Sequence, residues 1–390
     1  MDASINSDTR SVEPNRLARA ILRAQEAELV VNEIRARQGG RPLLLTTPGS
    51  VNWRTGGLSD PIDLSASSDP VWTLDCDAGR VLITSEIEAP RLEADFGVRE
   101  MGWDVVSAPW FDETARRSLA TEYAGTSLSE LLSDVEYIGD DVRVALISAR
   151  LALSEPEQDD LRDLGAVVGA ALGAGIDAWH PGTSTDFDSA AAISAVLESA
   201  GAHAVCLIVG GDGRLRSFRH PLAIGEVVRD AMMAVVVARR GGLHVAATRL
   251  AVRDAGDEIV ALTKTLGAVF DAVLEASLPG GSWGDSVVAL ADAYEAAGYP
   301  GAWREHFQGG PIGFEQREFE IAPTQIDSPF WSLIRRRDTA IAWNPSLGGG
   351  AKIEETYLVG DEGFEFLSAT PGWPVVEGAR GSLRSAVKVV

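Results

Sequence analysis

Cysteine is almost missing from this 390-residue chain: Cys76 and Cys206 stand far apart, each inside an apolar run. That excludes a disulfide-built scaffold and a cysteine zinc site, both of which need clustered or regularly spaced thiols. The two thiols read as small buried hydrophobes of a protein kept in a reducing compartment. Long apolar stretches are missing too, since none approaches the roughly 20 residues that span a bilayer. The opening residues, Met1-Asp-Ala-Ser-Ile-Asn-Ser-Asp8, lack the basic start and apolar core of a secretory leader, so a cytoplasmic protein is expected. Basic charge is scarce. Against 57 acidic residues stand 34 basic ones, few of them lysine, for a formal charge of −23. Such a surface repels nucleic acid and anionic membranes, and neither is expected as a partner. Also absent are a Ser-His-Asp elbow, a His-Glu-x-x-His helix and a dinucleotide fingerprint. Gly309-Gly310 and Gly348-Gly-Gly350 do not form a phosphate loop, because no Lys-Ser/Thr follows them.

What remains has the make-up of a folded protein, 45% hydrophobic and 23% charged, with length for two domains at roughly 100 to 200 residues each. Leu17, Ile21, Ala24, Val31 and Ile34 recur at helical spacing over residues 15 to 38 and stop at Gly39-Gly40. Four apolar runs bounded by turn signals, Pro42–Thr46, Val71–Asp75, Val81–Thr84 and Val142–Ile147, predict strands of an α/β domain. That domain is placed at residues 1–150, leaving 151–390 for the second.

The second half repeats itself. Leu164-Gly-Ala-Val-Val-Gly-Ala-Ala-Leu172 returns as Leu266-Gly-Ala-Val-Phe-Asp-Ala-Val-Leu274. Pro181-Gly182 and Leu197-Glu-Ser-Ala-Gly201 return as Pro279-Gly280 and Tyr294-Glu-Ala-Ala-Gly298. Each copy reads as a long helix, a Pro-Gly turn and a second helix ending at glycine. Strand-like runs follow both: Ala204–Val209 with Met232–Arg249, then Thr339–Trp343 with Thr356–Val359. The expectation is an α+β domain of two α-α-β-β units related by a pseudo-twofold axis, with sheet inside, helices outside and a pocket between the halves.

Three motifs in this domain draw a comparison: His306-Phe-Gln-Gly-Gly-Pro-Ile-Gly-Phe-Glu-Gln-Arg-Glu318, Ile341-Ala-Trp-Asn-Pro345 and Lys352-Ile-Glu-Glu-Thr356. They resemble the active-site half of the creatinase/Xaa-Pro aminopeptidase, or pita-bread, superfamily, and Thr47–Gly57 resembles a turn of its N-terminal domain. The resemblance covers 150–390 well and 40–150 more loosely. It implies the pita-bread fold. Members of that superfamily with two metal ions use Asp, Asp, His, Glu and Glu; those places hold Val235, Ala246, Gly310, Asn344 and Glu354 here. Two cations about 4 Å apart require several carboxylates and an imidazole. Valine, alanine and glycine donate nothing. No metal and no other cofactor is therefore expected.

The resemblance also assigns roles. His220, in Arg219-His-Pro221, stands where relatives keep a histidine facing the scissile bond, and an imidazole suits proton transfer near neutrality. The other reading is a surface histidine beside a proline. His306, four residues before Gly310, matches a histidine ahead of the ligand histidine, or makes a structural hydrogen bond. Glu354 matches a glutamate that grips the guanidinium of creatine in metal-free creatinase, or it pairs with Lys352 or Arg249. Arg317 replaces a substrate-facing histidine; a guanidinium forks onto a carboxylate, or pairs with Glu315, Glu318 or Glu320. Asn344 both donates and accepts. Trp343 either walls a ligand or fills core. His244 falls two residues before Ala246, hence on the same strand face.

These roles describe a metal-independent hydrolase acting on a C–N bond of a small molecule: an amidine, guanidine, cyclic amide or short peptide. A Xaa-Pro metallopeptidase with a different ligand set, a non-catalytic pseudo-peptidase and a non-hydrolytic biosynthetic enzyme stay open. Relatives with this plan are commonly homodimers, and a homodimer is expected by that analogy.

Overall fold

The computed structural model describes residues 14–57, 62, 66, 68–135 and 140–390; the opening segment examined for a leader lies outside them. The chain divides into two compact units, Met1–Ile138 and Gly139–Val390. No helix among the described residues is long and apolar enough to cross a membrane.

The first unit is an α/β layer. Helix α1 (Pro14–Arg37) precedes strand β1 (Leu43–Leu45), helix α2 (Pro48–Thr55) and a hairpin of β2 (Trp72–Cys76) and β3 (Gly79–Ser85). Helix α3 (Ala89–Phe96), β4 (Asp104–Ala108), α4 (Glu113–Ala124) and β5 (Leu132–Ser133) follow. The strands form one sheet in the order β4-β3-β2-β1-β5. The segment read as a turn at Thr47–Gly57 is in fact the helix α2. Pro48, which lacks an amide hydrogen, costs nothing in a first helical turn, and the Gly56 amide closes the end on the Asn52 and Trp53 carbonyls.

The second unit opens with a correction. Val142–Ile147, read as a strand, belongs to helix α5 (Asp140–Leu151). A six-residue apolar run fits either period; here Val142, Leu146, Ile147 and Leu151 are buried at helical spacing, and Arg150 turns inward to a buried ion pair with Glu318 at 2.7 Å.

Two helix pairs then carry the repeat: α6 (Glu155–Asp177) with α7 (Asp186–Ser199), and, beyond the first set of strands, α9 (Glu258–Glu275) with α10 (Trp283–Ala296). The second helix of each pair starts on the same device, a hydroxyl paired with an aspartate three residues on: Thr185 with Asp188, and Ser282 with Asp285. The duplication extends to isolated bridges, Thr185 to Val227 and Ser282 to Ile334.

The strand-like run Met232–Arg249 is two strands. β6 (His203–Gly211), a short helix α8 (Asp212–Ser217), β7 (Ala231–Arg240) and β8 (Leu243–Val252) make the first half. Gly241 and Gly242, at φ 54° and 81°, form the two-residue turn between β7 and β8 that other residues adopt only with strain. The second half holds β9 (Gly309–Pro311), β10 (Thr339–Trp343), the short pair β11 (Ser346–Leu347) and β12 (Ala351–Lys352), β13 (Glu355–Val359) and β14 (Phe364–Phe366). Strands β15 (Val375–Glu377), β16 (Leu383–Ser385) and β17 (Lys388–Val389) end the chain. Two four-stranded sheets result, β17-β8-β7-β6 and β14-β13-β10-β9.

The sheets meet where β8 passes the start of β13. The Thr248 amide donates to the Glu354 carbonyl at 2.9 Å, and the Thr356 hydroxyl accepts from the Ala246 amide at 3.0 Å while donating to the Ala246 carbonyl at 2.8 Å. Behind this junction Arg249, with no exposed side-chain surface, bonds both Glu355 oxygens at 3.0 Å, Thr370 at 2.8 Å, the Thr248 carbonyl at 2.7 Å and the Ser368 carbonyl. Ser368 and the Ser385 amide saturate Glu355 from the other side.

Candidate functional site

Strand periodicity builds the cleft. Residues two apart share a face, and four such pairs point inward: Cys206 and Ile208 on β6, Val235 and Val237 on β7, Ala342 and Asn344 at the end of β10, Lys352 and Glu354 after β12. Ala246, Gly309–Pro311, His220, His306, Phe307, Gln316 and Arg317 complete a space of about 570 Å³. All five positions of the superfamily ligand pattern, Val235, Ala246, Gly310, Asn344 and Glu354, therefore surround one opening.

Of the residues singled out in the sequence, His220, His306, Arg317, Asn344 and Glu354 line this cleft together. Trp343 does not. Alternation turns it to the opposite face of β10, where it is buried in the core and its indole donates to the Ser277 hydroxyl at 2.8 Å. His244 also stays out of the lining. It is fully buried, its amide and Nδ1 both lie about the Gly313 carbonyl, at 2.8 and 3.0 Å, and burial pushes its imidazole down to about 3. Sharing a face with Ala246 is not enough, because the Gly313 turn covers that end of β8. Cys206, read as a plain core residue, is only partly buried and reaches the cleft. Burial first, then the Glu354 charge, push its thiol up, so it is no activated nucleophile.

The two histidines come from separate loops and meet: His220 Nε2 lies 3.0 Å from His306 Nε2, with ring centroids 5.0 Å apart. At that distance one N–H stands between the rings. Burial and then the positive charge of Lys352 push His306 down to about 3, and the same two causes lower His220. Both rings are thus neutral near pH 7. Among the described residues, buried His306 Nδ1 has no hydrogen-bond partner.

Glu354 is buried at the cleft floor. Its Oε2 accepts from Thr248 Oγ1 at 2.7 Å and its Oε1 from Asn344 Nδ2 at 3.1 Å, while Lys352 Nζ stands 3.7 Å from Oε2. Arg317 sits half-exposed at the mouth, paired with Glu320 and stacked 4.3 Å over the Phe307 ring. Arg219, beside His220, pairs with Glu305. Lys352, one of three lysines in the chain, was read only as a partner for Glu354, and it also lines the cleft. Its signal was its spacing, two residues before Glu354 and so on the same side of an extended segment.

This donor set does not fit a bridged pair of metal ions. Val235, Ala246 and Gly310 supply no side-chain lone pairs, Asn344 offers only a neutral amide, and the Lys352 ammonium stands 3.7 Å from the one remaining carboxylate, Glu354. Among the described residues, no three histidine, cysteine or acidic side chains cluster to hold an ion.

No family model matches the chain, and no curated protein matches it by sequence. Solved structures do. The dipeptidase PepE of Mycobacterium ulcerans superposes with a TM-score of 0.71 at 17% identity, covering 96% of this chain and 98% of that one. The prolidase of Pyrococcus horikoshii gives 0.67 at 16%, covering 89% and 98%. This chain has the pita-bread fold. The same fold in the N-terminal domain of the FACT complex subunit SPT16 from chickpea matches with a TM-score of 0.63 at 12% identity, over 90% of this chain and 96% of that domain. At these identities the likeness is one of fold, and the pita-bread cleft of this chain carries its own set of side chains.

Proposed function

We propose that this chain is a metal-independent hydrolase that cleaves a C–N bond of a small molecule or short peptide in the His220–Glu354 cleft. The observation that carries the reading is the imidazole pair, neutral near pH 7 and set on one wall of a cleft whose floor holds a hydrogen-bonded carboxylate. Neighbours with this fold, a dipeptidase and a prolidase, support hydrolysis of C–N bonds as the reaction class.

The chemistry is water attack. As the water oxygen bonds to the carbon of the C–N group, the His220–His306 pair takes the water proton; the C–N bond then breaks, and the pair returns that proton to the departing nitrogen. Glu354 and Asn344 fix the orientation of the polar head, and Arg317 offers its outer face to an acidic group of the substrate.

The test is turnover of a panel of Xaa-Pro dipeptides, short cyclic amides and guanidines, followed by NMR, with and without chelator and with and without added manganese. Cleavage that chelator leaves unchanged within about twofold is the expected result. Stoichiometric bound metal, or cleavage that arises only with manganese, overturns the reading. A binding module is the second reading, and the chickpea SPT16 domain, with this fold inside a larger complex, is the observation that favours it.

A further inference from the structure

Lys352 has three N–H donors to place. Its side chain is 5% exposed, yet Nζ donates no hydrogen bond among the described residues, and the 3.7 Å to Glu354 is an ion-pair distance too long for one. An ammonium bonded to no protein acceptor here is left to bond whatever occupies the cleft. Lys352 lines the main cleft, the adjoining hollow walled by Arg219 and Gly348–Gly350, and the small cavity beside Thr248. These donors therefore face open space.

We propose that Lys352 is a specificity residue, whose ammonium takes the carbonyl oxygen of a neutral amide or cyclic amide and rejects amidines and guanidines. The inference rests on the hydrolytic reading of this cleft and selects among its substrates. Charge makes the selection. Glu354 and Lys352 already balance each other, and both Glu354 oxygens are engaged by Thr248 and Asn344. A guanidinium entering here would meet a fixed like charge beside a carboxylate that this charge already neutralises. A carbonyl brings an acceptor and no net charge, which suits an ammonium that turns its donors to the cleft beside a balanced pair. Once held, its oxygen is polarised by the ammonium as water adds to the carbon. Arg317 is a poorer candidate for this duty, since Glu320 and the Phe307 ring already hold its guanidinium.

The experiment reads binding and needs no turnover. Acetamide, 2-pyrrolidinone and guanidinium are titrated at millimolar concentration into isotope-labelled protein, and the ring signals of His220 and His306 are followed by NMR. The wild type is expected to favour the amides over guanidinium by about tenfold or more, the scale of one close like-charge contact in a partly hydrated site. In Lys352→Met the preference reverses, because Glu354 loses its counter-ion; in Lys352→Arg, which keeps charge and donors, it stays. Guanidinium binding as well as the amides to the wild type overturns the proposal, as does a failure of all amides to move the ring signals. If Lys352→Met does not fold, the wild-type and Lys352→Arg titrations decide alone. Amide preference without any cleavage defeats the hydrolytic reading and leaves the binding assignment standing.

Discussion

His220→Ala is expected to lower the hydrolytic rate by about 10²- to 10⁴-fold, the usual contribution of a positioned acid–base group, with KM changed far less. His220 is the exposed partner of the pair, so the truncation leaves no buried group stranded except His306 Nε2, which then faces the cleft. Retained folding, checked by thermal melting, separates this loss from collapse. The pH profile adds a second readout. Both imidazoles are lowered from the ordinary histidine value of 6.5, His306 to about 3. A base with a depressed pKa stays unprotonated to lower pH, so the wild-type rate should hold as pH falls through 6.5 and decline only in more acidic solution. An acid limb centred at or above 6.5 would show that these rings are not the titrating base. A rate within threefold of wild type for His220→Ala would favour the binding module.

Arg249→Leu is expected to destabilise the second unit by about 3–5 kcal/mol, the cost of stranding one member of a buried ion pair. Glu355 would keep the Ser368 and Ser385 donors but lose the cation paired with it among the described residues, inside a site with almost no exposed surface. The change also removes the brace behind the junction of β8 and β13, on which the Thr248–Glu354 contact depends. Urea unfolding of the wild type, Arg249→Leu and the double variant Arg249→Leu/Glu355→Leu measures it. The double variant should recover much of the loss, since two apolar groups leave no unpaired charge. A loss below about 1 kcal/mol for the single variant would mean that water or rearrangement relieves Glu355.

Much of this molecule was legible because the signals were periodic or repeated. The two helix pairs announced themselves through Leu164–Leu172 and Leu266–Leu274, and the pita-bread plan followed from the repeat joined to the local motifs. Residues of all three motifs line one cleft, because a strand's alternation is a local property: once Asn344 is inward, Ala342 must be too. What failed was whatever depended on neighbours distant in sequence. Trp343 and His244 obey the same alternation, but core on one side and the Gly313 turn on the other claim them. Val142–Ile147 is too short for its period to be told, and the ion pair of Arg150 with Glu318, 168 residues away, helps hold it as a helix. Lys352 was read as a counter-ion for Glu354. That is half of its position; the unspent donors become visible only when the surroundings of Nζ are in place.

Gly310 leaves one corner of the cleft bare: a β-carbon built there would touch nothing within 4 Å. Whatever molecule settles in that corner is framed by peptide edges on strand β9, so its shape is read by main chain. A contour of that kind survives the drift of neighbouring side chains, and variants of this protein that differ in preference should differ at the side chains lining the rest of the cleft, Lys352 and Arg317 among them.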